Sequence, residues 1–226
     1  MKTLKELLEK SMQEVVMFDE DFPIQTKITE DKSPKMFAII GDNASGKSFV
    51  TSNFLGMANR LYNIKGYHIG MKNRTAGGME SVFIYGEEGV QSTGATTLNA
   101  VIGGLKNIKN HILKDQKMLL ILDEPTIGLS LGYEKAMGKY IAEVFNEIKD
   151  LECFIGVMIV SHSKIMFEEI QNSGIEFSVM AVDHDLTFKQ WCEKEEDYSI
   201  EELLLLSEKG LSKYKEVDDY IKNLKK

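Results

Sequence analysis

Near its start, this chain runs from a short apolar segment straight into a glycine-rich turn, and that arrangement limits the folds open to it. The apolar residues 35–40 predict a buried strand, and residues 47–62 predict a helix. The turn between them reads Gly41-Asp42-Asn43-Ala44-Ser45-Gly46-Lys47-Ser48. If strands and helices go on alternating in this way, the chain should form a parallel sheet covered by helices on both faces.

The alternation does continue along the chain. Further strands are predicted over residues 24–28, 80–85, 118–122, 154–160 and 177–182. Further helices are predicted over residues 1–16, 96–113, 133–149 and 164–171. A capping box of Ser199 and Glu202 starts another helix, and Gly210 is predicted to separate it from a last charged helix. We therefore expect an α/β fold with a mostly parallel sheet, in one domain spanning residues 1–226. Its core should cover residues 35–182 and a C-terminal helical extension residues 199–226.

The glycine-rich turn matches the Walker A pattern of P-loop NTPases at every fixed position. Its glycines let backbone N–H groups and the following helix N-terminus face a phosphate chain, which predicts that residues 41–48 bind ATP. Lys47 would reach the β- and γ-phosphates, and the Ser48 hydroxyl would bind Mg²⁺. The alternative is an ordinary glycine-rich turn with an exposed lysine.

Two acids follow the apolar strand 118–122, at the strand end where ligands of open parallel sheets bind. This is a Walker B arrangement. Asp123 would hold Mg²⁺, directly or through water, and Glu124 would act as the base that polarises the attacking water.

The segment Leu122-Asp123-Glu124-Pro125-Thr126-Ile127-Gly128-Leu129-Ser130 resembles the Walker B and D-loop region of ABC ATPases. Ser130 departs from that family, which usually has aspartate there. His162 follows the next strand and looks like the family's switch histidine, with a catalytic role. The resemblance covers residues 35–182 and implies an enzyme that hydrolyses ATP to ADP and phosphate.

The family's signature loop is matched less regularly. Gln91-Ser92-Thr93-Gly94-Ala95 occupies its place, and only Ser92 and Gly94 agree with it. By resemblance, these two residues would contact the γ-phosphate held by a second subunit, so ATP would close a homodimer around itself. The alternative is a loop that simply caps the helix that follows.

The interval between Walker A and the signature loop also departs from the family. It contains no glutamine before Gln91, so no Q-loop residue can be assigned, and it is too short for the helical subdomain of transporter ATPases. The chain is similar instead to the ATPase heads of DNA-repair and chromosome-maintenance proteins. The resemblance implies that ATP closure and release are coupled to DNA or a protein effector, in DNA repair, DNA maintenance or defence.

Composition bears on partners and location. The net charge is −8, and Arg60 and Arg74 are the only arginines, which disfavours a strong nucleic-acid-binding surface. The scarcity of arginine also argues against a nucleotide kinase, which needs an arginine-rich lid. The longest apolar run, residues 153–160, is far shorter than the roughly twenty residues of a membrane span. The N-terminal residues lack an uninterrupted apolar signal segment, so we expect a cytoplasmic protein without membrane insertion.

Two functions other than the ATPase remain open. One is a slow ATP-sensing regulatory protein, which Ser130 and the irregular signature leave possible, and the other is a transporter ATPase subunit. An aromatic residue that stacks on adenine is expected before the Walker A strand, where Phe18 and Phe22 are the candidates. The alternative for each is a residue of the hydrophobic core.

Overall fold

The computed structural model describes residues 3–70, 92–112, 116–195 and 197–224, and it has an α/β architecture. The described strands are β1 (Thr26–Glu30), β2 (Met36–Ile40), β3 (Lys65–Ile69), β4 (Met118–Asp123), β5 (Phe154–Val160) and β6 (Ser178–Val182). The described helices are α1 (Leu4–Glu14), α2 (Lys47–Tyr62), α3 (Thr93–Ile112), α4 (Leu131–Ile148), α5 (Lys164–Asn172), α6 (Phe188–Glu193) and α7 (Ile200–Leu224), with a 3₁₀ turn at Val16–Phe18.

One six-stranded sheet joins these strands in the order β1-β6-β2-β5-β4-β3. Strand β1 pairs antiparallel with β6, and the other neighbours are parallel. The mostly parallel sheet that the alternation predicted is therefore confirmed. Every residue of β2, β4, β5 and β6 is buried, because helices cover both faces of the sheet.

Two apolar clusters lie on opposite faces of the sheet. On one face, α3 to α6 pack against alternate strand residues such as Ala38 and Leu120. On the other face, α1, α2 and α7 pack against the intervening residues such as Ile39 and Ile121. Because successive side chains of a strand point to opposite faces, a continuous apolar strand contributes to both clusters.

The strand order determines where the predicted site residues meet. Strand β5 lies between β2 and β4, and its Val160 pairs with both Ile39 and Asp123. The carboxyl ends of these three strands therefore lie side by side at one edge of the sheet. The glycine-rich turn follows β2, the two acids end β4, and His162 follows β5.

The sequence prediction differs from the structure in three places. The short strand β3 and the short helix α6 were not predicted. The strand predicted at 80–85 lies outside the described residues and stays a prediction. The predicted break at Gly210 is wrong, because α7 is one continuous helix from Ile200 to Leu224. A glycine within a helix costs only about 1 kcal/mol, which capping by Ser199 and burial of Val217 can offset. Among the described helices, none combines the length and the apolar character needed to cross a lipid bilayer.

Candidate functional site

The turn between β2 and α2, called here the glycine-rich loop (residues 41–48), curls back on itself. Ala44 has a φ of 60° and Gly46 a φ of 100°, both in the left-handed region. At Gly46 a Cβ atom would lie 2.7 Å from Ile24 Cδ1, so only glycine combines this backbone with this packing. Helix α2 begins directly afterwards, and its first N–H groups have no partner within the helix, which favours an anion at this point.

Lys47 lies inside the curl of the loop. Its side chain donates hydrogen bonds to the carbonyl oxygens of Gly41 and Asp42, both at 2.9 Å. The residue is only 7% exposed, so its positive charge is stabilised by the dipoles of backbone carbonyl groups and not by bulk water. The Ser45 hydroxyl, also buried in the loop, meets no hydrogen-bond partner among the described residues. A buried donor of this kind is suited to an incoming acceptor such as a phosphate oxygen.

A pair of oxygen donors stands beside the loop. The Ser48 hydroxyl donates to Asp123 Oδ1 at 3.3 Å, which brings together two groups from α2 and β4. Hard oxygen donors of this type suit Mg²⁺, which usually takes one or two protein ligands and completes its shell with water and phosphate. The described residues contain no group of three or more histidine, cysteine or acidic side chains that could hold a metal ion.

Glu124 has an unusual backbone conformation, with a φ of 53°. Glu124 directly follows β4, and its N–H donates to the carbonyl of Val160, the last residue of the neighbouring β5, at 2.8 Å. This hydrogen bond helps to hold the left-handed backbone conformation in place. The carboxylate accepts hydrogen bonds from the Ser161 hydroxyl at 3.3 Å and the His162 N–H at 3.4 Å. Burial raises the pKa of Glu124 above its usual value, the direction that makes a carboxylate a better proton acceptor.

His162 completes the group. Its Nε2 lies 3.1 Å from Lys47 Nζ and 3.7 Å from Glu124 Oε1. Burial, together with the neighbouring Lys47 charge, lowers the pKa of His162 to about 4. The imidazole is therefore neutral at pH 7. Because an ammonium group can only donate, Nε2 accepts from Lys47 and the ring proton belongs on Nδ1.

These groups line one cavity of about 620 Å³, within the size range of small-molecule sites. The predicted residues of the glycine-rich loop from Asn43 to Ser48 line it, as do Asp123, Glu124 and His162. Asp42 is instead engaged at the side of the loop, where its carboxylate accepts from Lys194 at 2.7 Å. The cavity combines a cation, a helix N-terminus and a carboxylate pair, which suits a phosphorylated ligand with a divalent metal ion.

The two predicted signature residues lie at the start of α3. The Ser92 hydroxyl accepts a hydrogen bond from the Ala95 N–H at 3.3 Å, so within this chain it caps the helix. Gly94 is buried, and a Cβ atom there would lie 2.6 Å from the Gly128 carbonyl oxygen. Within the chain, both residues therefore have a structural role, and their contact with a second subunit stays a prediction.

The structure also brings residues to the site that the sequence did not single out. His68 on β3 places Nε2 3.3 Å from Asp123 Oδ2, and thus orients the acid from the side opposite Ser48. Because β3 itself was not predicted, no signal in the sequence pointed to His68. Helix α7 also contributes residues to the cavity. The stacking candidate Phe22 is 2% exposed and packs against the rings of Phe49 and Tyr220. Phe18 is likewise packed against the core on that face.

Comparison with known proteins adds no relative: no protein-family model, curated protein or solved structure matches this chain.

Proposed function

We propose that this protein binds Mg-ATP in the cavity at the carboxyl edge of the sheet and hydrolyses it to ADP and phosphate. The proposal rests chiefly on one observation, the meeting of Lys47, Glu124 and His162 over the N-terminus of α2. The Walker A and Walker B patterns assigned phosphate binding to Lys47 and water activation to Glu124, and the resemblance to ABC ATPases assigned the switch role to His162.

Each group has a defined task in this proposal. Lys47 and the N–H groups of the glycine-rich loop bind the β- and γ-phosphates, and the Ser45 hydroxyl gains an acceptor. Ser48 and Asp123 would hold Mg²⁺, which would supply positive charge to offset the negative charge that develops on the departing ADP. Glu124 orients and polarises the attacking water, while neutral His162 can donate its Nδ1 proton in a hydrogen bond to a γ-phosphate oxygen without adding charge.

The proposed unit of action is a homodimer that closes on ATP and opens after hydrolysis, coupled to DNA or to a protein effector. Ser92 is exposed at the N-terminus of α3, which leaves its backbone and hydroxyl accessible to a second subunit.

A slow ATP sensor in DNA or protein regulation is the second candidate. The burial of Gly94 against Gly128 favours it, because this glycine is then explained without contact with a γ-phosphate.

The rate of phosphate release by the wild type, compared with that of Glu124→Gln, separates the ATPase from the ATP sensor. The amide keeps the side-chain shape but loses the negative charge, so we expect Mg-ATP binding to persist while release falls by about 10²- to 10⁴-fold. Light scattering of the same variant should show a dimer with Mg-ATP and a smaller species without it. Wild-type turnover that is already negligible would favour the sensor.

The matched control is Glu152→Gln, which removes an exposed carboxylate from the turn before β5, at the opposite edge of the sheet. It should release phosphate at the wild-type rate. Equal turnover by Glu124→Gln and the wild type would contradict the role of Glu124.

A further inference from the structure

Part of the cavity wall is formed by the C-terminal helix. Gly210, Lys213, Tyr214 and Val217 of α7 line it, together with Ile24 from the segment before β1. None of these residues belongs to the motifs of the glycine-rich loop or the strand β4. The cavity is therefore polar and charged where phosphates would bind, and mainly apolar and aromatic beneath α7.

Helix α7 is anchored at this position by several contacts. Lys213 Nζ donates to Asp183 Oδ2 at 2.6 Å and to the Pro23 carbonyl at 2.9 Å. Val217 is 3% exposed and belongs to the core cluster of that sheet face, and Tyr220 meets the Phe22 ring edge-on at 5.4 Å. The helix is thus fixed against the cavity by an ion pair on one turn and by apolar packing on the next.

The helix also approaches the glycine-rich loop closely. A Cβ atom on Gly210 would lie 3.8 Å from the Ala44 Cβ atom, an ordinary van der Waals contact. Tyr214 is one helical turn further along, so its ring reaches the same cavity from beside the loop. A ligand whose phosphates occupy the loop would therefore share its cavity with this ring.

Two aromatic side chains line the cavity, Phe49 and Tyr214; Phe49 is half-buried and stacks on Phe22, whereas Tyr214 is exposed. Tyr214 is 66% exposed, although it lines the cavity, whereas Phe22 is 2% exposed and has both neighbours in place. A planar ring at the mouth of a cavity with one face accessible can stack on a base, since every nucleobase presents a π-face. A ring already packed on both sides cannot.

We infer that Tyr214 is the stacking platform for the base of the bound nucleotide, so that α7 completes the nucleotide site. This inference rests on the proposed function, because it assumes that the glycine-rich loop binds the phosphates. The apolar side chains of Ile24 and Val217 then border the base, and Lys213 holds the helix in register through Asp183 and Pro23.

Calorimetric titration with two ligands tests the inference: Mg-ATP, and Mg-tripolyphosphate, which carries the phosphates without the base. Tyr214→Ala should weaken ATP binding by about tenfold and leave tripolyphosphate binding unchanged. Tyr214→Phe should retain the wild-type affinity for ATP, since it keeps the ring. Tyr133→Ala is the matched control, because Tyr133 is 68% exposed on α4 and does not line the cavity.

The possible outcomes separate this inference from the proposed function. Unchanged ATP affinity in Tyr214→Ala, with binding lost in Lys47→Ala, would overturn the stacking role alone. Equal weakening of ATP and tripolyphosphate in Tyr214→Ala would also overturn it, because the helix would then affect the phosphates and not the base. Wild-type binding of both ligands by Lys47→Ala would overturn the proposed function itself.

Discussion

At the scale of single residues, three titratable side chains share a largely buried space: Lys47, Glu124 and His162. Burial disfavours the charged form of each side chain, and the effect differs among the three residues. Lys47 donates hydrogen bonds to two carbonyl oxygens, the pKa of Glu124 rises, and the pKa of His162 falls. The group is thus arranged around one fixed positive charge.

The low pKa of His162 makes the stability of the fold depend on pH. Its folded value is about 4, against about 6.5 in an unfolded chain. Between these values the unfolded chain binds a proton that the folded chain does not, so stability present above pH 6.5 is lost as the pH falls towards 4. His162→Gln keeps an acceptor for Lys47 but does not titrate.

We therefore expect the free energy of unfolding to fall less between pH 7.5 and pH 5 in His162→Gln than in the wild type. Urea unfolding at both pH values measures the difference. An identical loss in the two proteins would show that His162 does not titrate abnormally.

The sequence predicted the motif residues of the site because their spacing is imposed by the ligand they would bind. It could not predict His68 or Tyr214, because neither belongs to a spaced pattern. His68 reaches Asp123 only through the pairing of β3 with β4, and Tyr214 reaches the cavity only through the packing of a distant helix. Contacts of this kind depend on tertiary structure, which local patterns do not encode.

At the scale of secondary-structure elements, α3 docks unusually closely on the loop that follows β4. Gly94 and Gly128 face each other across this contact, and Thr97 donates to the Ile127 carbonyl at 3.0 Å. Gly128 has a φ of 76°, which also requires glycine. The start of α3 is therefore held against the segment that carries the carboxylate pair.

Two glycine-to-alanine substitutions in α3 test this docking. At Gly94 the added Cβ would lie 2.6 Å from a backbone oxygen, so we expect Gly94→Ala to destabilise the fold by about 1 to 3 kcal/mol. At Gly103, in the same helix, the Cβ would meet nothing within 4 Å, and alanine should stabilise by about 0.5 to 1 kcal/mol. Urea unfolding of both variants measures the two effects; equal stability would contradict the close contact.

The elements themselves were largely predictable, since continuous apolar strands alternate with amphipathic helices. The exceptions have physical causes. Strand β3 contains a lysine, a glycine and a histidine, and it forms because β4 supplies a partner along its whole length. Helix α7 continues through Gly210 because the turns that follow this glycine are anchored to the body of the protein.

At the scale of the whole molecule, the strand order places three strand ends beside one another, and α7 returns from the end of the described chain to cover the same edge. Residues from positions 24 to 217 therefore line a single cavity. This arrangement supports the central claim that the glycine-rich loop is the site of Mg-ATP binding.

Calorimetric titration of Mg-ATP into Lys47→Ala tests that claim most directly, with Lys189→Ala as the control because its side chain is 83% exposed on α6. Removing the cation that faces the phosphates should weaken binding by at least about tenfold, while the control should match the wild type. Wild-type affinity for Mg-ATP in Lys47→Ala would contradict the claim and show that the nucleotide, if bound at all, binds elsewhere.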